Sequence, residues 1–345
     1  MPYFRFPPFS FKGRLLVGFL LSGALFLALL NLPSFRDSET YQWGVTFSPA
    51  QAESFGYDWK NVYEALLDDL ELRKLRLSAY WNVIEPVKGE FHFDDLDYQL
   101  DEAEKRGAKV TLALGRKLPR WPECHEPDWL KGARREQLEQ ATLSYIGAVV
   151  SRYKDHPAIE RWQVENEVLF PFGECPKTFG IETLKKEVAL VRSMDRRPVM
   201  ITDSGEWTLW VPLAWYGDVL GSSLYREAYN ERFGMIPFPI QPGYYQIRAL
   251  VWRLLGREVV ISELQTEPWG KKAIQHMDVG EASVALPLQK FQRNINFAQR
   301  VGFSEVYLWG VEWWYAMKER GNDTYWNEIK NIVQKSVSTD CCGEE

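Results

Sequence analysis

The stretch WQVENEVLF, residues 162–170, is a strand-like hydrophobic run that carries two glutamates with one asparagine between them. It closes a longer strand pattern over residues 158–167, so Glu165, Asn166 and Glu167 stand where the chain leaves a strand. In a parallel barrel, functional side chains gather at the carboxyl ends of the strands. Polar residues at this point are therefore candidate site residues if the rest of the chain predicts such a barrel.

The rest of the chain alternates strand and helix patterns at a regular step. Further strand patterns lie at residues 41–48, 74–81, 108–115, 197–204, 217–225, 258–264 and 304–310. Helical periodicity lies at 59–70, 96–106, 136–153, 182–194, 244–255, 288–301 and 325–337, with a weak pattern near 210–216. Strands that alternate with helices pair in parallel, and eight such units predict an α/β fold, a closed (β/α)8 TIM barrel.

An open, doubly wound sheet is the alternative fold for this order of elements. Its phosphate-binding fingerprint is a glycine-rich turn after the first strand, whereas this chain reads GVTFSPAQAES there. With 345 residues, of which 46% are hydrophobic, the chain is long enough for one large core. The barrel is therefore the favoured fold, and no linker or repeat predicts a second domain.

The net charge of −6 argues against a polyanionic partner. No lysine- or arginine-rich run is present, so the chain offers no basic surface to hold a phosphate backbone. We therefore expect no nucleic-acid partner.

The N-terminal segment predicts an association with a membrane. No acidic residue occurs in the first 36 positions, and the basic residues Arg5, Lys12 and Arg14 precede an apolar stretch at 15–32. Eighteen residues lie at the lower limit for a spanning helix and also near the length of a signal-peptide core. Because no small-x-small cleavage site follows, we expect an uncleaved transmembrane anchor, with a cleaved signal as the alternative.

The positive-inside rule then orients the chain. The predicted organisation is a cytoplasmic N-terminus (1–14), a transmembrane anchor or uncleaved signal (15–32), a linker (33–40), the TIM-barrel domain (41–337) and a polar tail (338–345). The barrel would be extracytoplasmic and attached to the membrane, or secreted if the N-terminal segment is removed.

Four cysteines fit an exported domain. Cys124 and Cys175 lie in two polar, proline-containing loops and could pair after export, whereas Cys341 and Cys342 lie in the polar tail. A zinc site formed by Cys124, His125 and Cys175 is the competing interpretation. The chain has no C-x-x-C or paired-histidine spacing to support that site, so we expect no metal.

Two glutamates stand at the predicted carboxyl ends of well-separated strands. Glu167 ends the fourth strand, and Glu263 ends the seventh, directly after the run VVIS. Two carboxyl groups that face each other across a barrel mouth suit glycoside hydrolysis, because one can protonate the leaving oxygen while the other attacks the anomeric carbon. A separation of about 5–5.5 Å between them would predict retention of configuration.

These motifs resemble those of clan A glycoside hydrolases. WQVENE is similar to the asparagine-glutamate motif of their fourth strand, and VVISEL to the nucleophile motif of their seventh. YWNVIEPVKGEFHFDDLD resembles the second-strand region of families 42, 39 and 35, whereas the set of site residues resembles family 5. The likeness to this cellulase- and beta-galactosidase-like group extends over the whole predicted barrel.

The resemblance implies a role for each matching residue. It makes Glu167 the general acid/base, Glu263 the nucleophile, and Asn166 the residue that binds the sugar 2-hydroxyl. It likewise implies an arginine beside the nucleophile, a tyrosine that contacts it and a tryptophan platform for the sugar, namely Arg76, Tyr225 and Trp309.

Two further glutamates near these positions have different interpretations. Glu267, four residues after Glu263, is expected to line an outer subsite or the surface because it lies beyond the apolar run. Glu165 points inward by the period of a strand, where a buried charge needs a partner, and Arg76 is the candidate. Strict alternation would turn Asn166 outward, so its sugar-binding role requires a bend or bulge at the strand end.

The sequence thus leads to an expected activity. We expect a retaining O-glycosyl hydrolase that cleaves β-linked oligo- or polysaccharides with two glutamates and no cofactor. A transglycosylase with the same residues and an inactive, carbohydrate-binding barrel are the alternatives.

Overall fold

The computed structural model describes residues 11–34, 41–175 and 180–340, and within them eight strands close into a parallel barrel. We number these strands β1 Gln42–Thr46, β2 Lys74–Ser78, β3 Lys109–Leu114, β4 Ile159–Val164, β5 Val199–Asp203, β6 Val219–Leu224, β7 Glu258–Gln265 and β8 Glu305–Trp309. Each strand pairs with its neighbours in the sequence, and β1 pairs with β8. The predicted (β/α)8 barrel is confirmed.

Most of the helices surround the barrel and cover the outer face of its strands, whereas the first helix of the chain lies against the eighth. The helices are α1 Phe11–Leu30, α2 Pro49–Ser54, α3 Trp59–Asp68, α4 Trp81–Ile84, α5 Asp94–Lys105, α6 Arg135–Tyr153, α7 Ile181–Met194, α8 Pro242–Leu254, α9 Val279–Ala285, α10 Leu288–Val301, α11 Val311–Glu319 and α12 Thr324–Asp340. Both faces of the strands are consequently buried, and every residue of β5 and β6 is buried.

Local sequence signals explain where these helices begin and end. The side chain of Asp58 accepts a hydrogen bond from the backbone of Lys60 and caps α3. α10 ends at Gly302, whose φ of 71° is a left-handed conformation that glycine adopts without strain. The apolar face of α3 then packs into the main core through Val62, Leu66 and other side chains.

The predicted helix near residues 210–216 is wrong. That segment contains a single 3-10 turn, Val211–Leu213, and Gly217 follows shortly after it. A two-stranded hairpin that the sequence did not predict, Glu227–Asn230 with Gly234–Pro237, lies between β6 and α8.

The N-terminal apolar segment forms α1, and its described side chains are largely exposed, including Phe19 at 77%. Just beyond the helix, the backbone of Leu32 accepts a hydrogen bond from Gly243 at the start of α8. Within the described ranges, no helix combines the length and apolar character needed to cross a membrane. The anchor at 15–32 stays a prediction.

Several predicted boundaries fall partly outside the described residues. These are most of the N-terminus (1–10), most of the linker (35–40) and the end of the tail (341–345), which holds Cys341 and Cys342. α12 extends to Asp340, so the tail predicted from 338 begins within a helix.

Candidate active site

The predicted site residues lie at or just beyond the carboxyl ends of five strands. Arg76 lies on β2, Asn166 and Glu167 lie two and three residues beyond the end of β4, and Tyr225 directly follows β6. Glu263 lies near the end of β7 and Trp309 ends β8. Hydrogen bonds connect most of these residues into one cluster at the mouth of the barrel.

Arg76 is the centre of this cluster. Its guanidinium group is completely buried and donates hydrogen bonds of 2.7 Å to Gln163 Oε1, Glu263 Oε1 and Asn166 Oδ1. A planar guanidinium fixes the directions of these three bonds at once. Arg76 therefore fixes the relative positions of β4 and β7 at the point where the two candidate catalytic strands end.

Tyr225 contacts the second oxygen of the Glu263 carboxylate. Its hydroxyl lies 2.5 Å from Glu263 Oε2, so Glu263 has a donor on each oxygen. The two donors hold both oxygens of the carboxylate and restrict its rotation. This is the arrangement that an oriented nucleophile requires.

The end of β4 bends as the sugar-binding role of Asn166 requires. Glu165 and Glu167 have φ values of 59° and 42°, in the left-handed region that residues other than glycine rarely adopt. Asn166 consequently turns into the barrel mouth, where its Oδ1 accepts bonds from Arg76 and from Thr202 Oγ1. The predicted bend is confirmed.

The same bend overturns the predicted pairing of Glu165 with Arg76. Glu165 turns toward the end of β3, where its carboxylate accepts hydrogen bonds of 2.9 and 2.7 Å from the amides of Arg116 and Lys117. Gly115 provides the space, because a Cβ there would lie 2.4 Å from Glu165 Oε1. Glu165 thus attaches the β3 loop to the β4 rim.

Glu167 lies in an environment that favours its protonated form. Burial raises its pKa well above the ordinary range, and the nearby negative charges of Glu263 and Glu123 raise it further. The backbone N–H of Glu167 donates a 3.0 Å hydrogen bond to Thr202 Oγ1. A raised pKa on this glutamate is what a general acid needs near neutral pH.

Glu267 is buried, so the surface position that the sequence allowed for it is wrong, whereas its alternative place in an outer subsite stays a prediction. It is 3% exposed, and both of its oxygens accept bonds from Arg120, at 2.9 and 3.0 Å. Its Oε1 also accepts a 2.7 Å bond from Trp309 Nε1. The pattern missed this role because Arg120 reaches Glu267 from a loop 147 positions earlier in the chain.

Trp309 is held from two directions. Glu267 binds its indole nitrogen, and the Arg120 guanidinium lies 4.1 Å from the ring centroid. Arg120 is itself anchored by a 2.5 Å ion pair to Glu312. One ring face is therefore covered by Arg120, and the platform role of Trp309 stays a prediction for the opposite face.

A disulfide joins the loops that follow β3 and β4. Cys124 and Cys175 are bonded, with a Cα–Cα distance of 5.2 Å, so the predicted pair is confirmed and the zinc alternative is excluded. Lys117 Nζ adds bonds of 3.1 and 2.8 Å to the backbone oxygens of Glu167 and Phe170. The two loops thus form one wall beside Glu167.

Glu123, in this wall, is a site residue that the sequence did not single out. Its Oε2 accepts a 3.0 Å bond from Asn166 Nδ2, and its side chain is buried, so it joins the cluster that contains Arg76 and Glu263. A signal existed, since the residues RKLPRWPECHEP place several charged residues in a proline-rich loop after a strand.

One group of potential metal ligands occurs among the described residues. Asp101, Glu104 and His156 lie close together on an outer surface of the barrel, and both acids are exposed. None of them belongs to the cluster at the barrel mouth, so they supply nothing to the site chemistry.

A family model of beta-galactosidases, Glyco_hydro_42, matches residues 60–178. An endo-1,4-beta-xylanase of Claviceps purpurea is 33% identical over 102 residues, which are 29% of this chain and 29% of that protein. A beta-galactosidase of an Arthrobacter species is 30% identical over 126 residues, 30% of this chain and 18% of that protein. The chain thus spans less than a third of the length of these curated relatives.

Solved structures share the fold over most of the chain. Xylanase 10B of Thermotoga petrophila has a TM-score of 0.56 at 16% identity, covering 86% of this chain and 95% of that one. A beta-galactosidase of a psychrophilic Marinomonas has a TM-score of 0.58 at 14% identity, covering 88% of this chain and 61% of that one. The family match contains Asn166 and Glu167 but ends before Tyr225 and Glu263.

Proposed function

We infer that this chain, a relative of the clan A glycoside hydrolases, is itself a retaining glycoside hydrolase. The observation that carries this inference is the contrast between its two strand-end glutamates. Glu263 has a cation on one oxygen and a hydroxyl donor on the other, whereas burial and neighbouring charge raise the pKa of Glu167. One carboxyl group oriented by donors on both oxygens and a second with a raised pKa suit the nucleophile and the acid/base of a double displacement.

The proposed reaction has two steps. In the first, Glu263 attacks the anomeric carbon while Glu167 transfers its proton to the glycosidic oxygen, which leaves as an alcohol. In the second, ionised Glu167 removes a proton from water, and the resulting hydroxide displaces Glu263 from the anomeric carbon. Both glutamates return to their starting forms, and the reaction requires no cofactor.

Asn166 and Trp309 would hold the sugar during these steps. Asn166 Oδ1 is occupied by Arg76 and Thr202, so its amide nitrogen is the group available to a sugar hydroxyl. The indole of Trp309 would contact the apolar face of the ring. We propose β-linked oligo- or polysaccharides as substrates, in keeping with the names of the matched relatives, which include xylanase, mannosidase and beta-galactosidase.

The proposal is tested by measuring whether the full-length chain, kept in detergent, hydrolyses aryl β-glycosides and polysaccharides. Glu167→Gln and Glu263→Gln should each lower kcat by several orders of magnitude, whereas Glu136→Gln, on the exposed start of α6, should leave it unchanged. Equal turnover by wild type and Glu263→Gln would refute the nucleophile assignment.

Product analysis separates the two alternatives from hydrolysis. Transfer of the sugar to an added alcohol, in preference to water, would favour a transglycosylase. Sugar binding without turnover on a wide panel would favour an inactive, carbohydrate-binding barrel.

We also propose that residues 15–32 anchor the barrel to a membrane, with the barrel outside the cytoplasm. The run of exposed leucines and phenylalanines along α1 and the basic residues before it support this placement. A disulfide between Cys124 and Cys175 suits an oxidising compartment.

Cell fractionation tests the anchor. The full-length chain should stay with membranes after carbonate washing, and protease added to intact cells or spheroplasts should reach the barrel. Release of the full-length chain by the wash, or its protection from protease, would overturn the proposed placement.

A further inference from the structure

A third buried carboxyl group lies beside the two proposed catalytic glutamates. Glu123 is 6% exposed, and its Oε2 accepts a hydrogen bond from Asn166 Nδ2. Asn166 also accepts a bond from Arg76, which in turn donates to Glu263, so Glu123 belongs to the same hydrogen-bonded cluster as the proposed nucleophile.

The wall formed by the β3 and β4 loops is built around Glu123. Its φ of 72° is a strained conformation for a glutamate, and Arg120, three residues earlier, has a φ of 83°. The next residue is Cys124 of the disulfide. Gly173 of the β4 loop packs so closely that a Cβ there would lie 2.4 Å from the Cβ of Glu123.

The burial of the Glu123 carboxyl group at this position lowers the stability of the fold. Within the ranges 41–175 and 180–340, it forms no ion pair, since the nearby Lys117 Nζ bonds to the backbone oxygens of Glu167 and Phe170 instead. Burial raises the pKa of Glu123 to about 8, and the charge of Glu263 adds to this effect. A glutamine could accept the bond from Asn166 without this cost, which points to a use for the carboxyl group.

We propose that Glu123 is a substrate-contacting residue that binds a hydroxyl group of the reacting sugar, adjacent to the hydroxyl that Asn166 binds, and thereby selects which sugar enters. A protonated carboxyl donates one hydrogen bond and accepts others, and an ionised one only accepts, so either form can bind a hydroxyl. Asn166 Nδ2 has two hydrogens, of which one is given to Glu123. The other remains for the sugar, so Glu123 and Asn166 face neighbouring positions of the ring. This inference rests on the proposed glycosidase function.

Deoxy substrates test the proposal because a purely structural role for Glu123 would not depend on one hydroxyl. The first substrate is an aryl glycoside that the full-length chain hydrolyses in detergent. The wild type and its Glu123→Ala variant are assayed on this substrate and on its 2-, 3- and 4-deoxy analogues. Glu123→Ala should lower kcat/KM about 10- to 100-fold on the parent sugar, and this loss should disappear on the 3-deoxy analogue, which lacks the hydroxyl next to the one that Asn166 binds. Glu174→Gln, exposed on the same wall, is the matched control.

Two further variants separate contact from folding. Glu123→Gln should keep the melting temperature within a few degrees and recover much of the kcat/KM that Glu123→Ala loses, because an amide also donates and accepts. Gly173→Ala displaces the Glu123 side chain and should show the same loss on the parent sugar. An equal loss on all analogues, or a change below threefold with Glu123→Ala, would overturn the proposal.

The proposed function and the role of Glu123 can fail separately. Active wild type with an unaffected Glu123→Ala variant refutes only the contact. If wild type turns over no glycoside, calorimetric binding of the parent monosaccharides replaces turnover. Weaker binding by Glu123→Ala would then support the contact without the enzyme activity, and equal or absent binding would refute it.

Discussion

Replacement of Arg76 by methionine should destabilise the barrel through the charge that it leaves behind. Arg76 is completely buried, and its ion pair of 2.7 Å with Glu263 is also buried. Removal of one partner from a buried ion pair costs about 3–5 kcal/mol because the other charge is left without compensation. Unfolding entropy of about 0.6 kcal/mol/K for about 300 ordered residues converts this to a fall in Tm of about 5–8 °C.

The double variant Arg76→Met/Glu263→Gln tests this cause directly. With the carboxylate also gone, no unpaired charge remains, so the double variant should melt several degrees above Arg76→Met alone. The measurement is thermal unfolding of the four proteins, namely wild type, the two single variants and the double variant, followed by circular dichroism at one pH. Arg76→Lys is the matched control, because it retains the charge without the planar fork and should lie between wild type and Arg76→Met.

Additivity would refute this reasoning. If the effects of the two single substitutions sum to that of the double variant within about 0.5 kcal/mol, the two residues do not interact. The loss in Arg76→Met would then come from packing or from the bonds to Gln163 and Asn166.

Three further predictions concern other parts of the site. Tyr225→Phe should lower kcat about 10- to 100-fold, measured on the best aryl glycoside, because a hydrogen bond to a charged carboxylate is lost; unchanged kcat would show that Glu263 does not need this donor. Burial raises the pKa of Glu123 to about 8, so the stability linked to its proton is complete below pH 4 and declines as the pH rises toward 8. The free energy of unfolding should fall by up to about 1.4 kcal/mol per pH unit in this range. Unfolding in urea at several pH values should show a shallower decline for Glu123→Gln, and parallel curves for the two proteins would contradict this linkage. Replacement of Cys124 and Cys175 together by serine releases a cross-link between residues 51 positions apart and should lower the free energy of unfolding by about 4 kcal/mol; a chemical denaturation midpoint equal to that of wild type would contradict it.

The sequence predicted the fold because the barrel depends on local and periodic features. Apolar strand runs recur at a regular step with amphipathic helices between them, and each strand pairs with its sequence neighbours. The candidate acid/base and nucleophile followed from the same pattern, since strand ends mark the mouth of the barrel. Cys124 and Cys175 could be proposed as partners because both lie in loops on that side.

The partners of the buried charges could not be predicted in this way. Period two placed Glu165 inside the barrel, but left-handed φ values at the rim turned it toward the amides after β3. Glu267 was expected outside because it follows the apolar run, yet Arg120 buries it from across the barrel. Both outcomes depend on loops that meet only after the barrel has closed.

The sequence by itself determined the eight-unit barrel and the strand ends that carry Asn166, Glu167 and Glu263. Only the tertiary structure decided the environment of each carboxyl group, because burial and neighbouring charge depend on residues far apart in the chain. It showed the donors on both oxygens of Glu263, and it placed Glu123 beside Asn166. The order of the strands can be predicted from the periodic pattern of apolar residues. The protonation state of a site residue depends instead on which charged residues from distant parts of the chain are buried beside it.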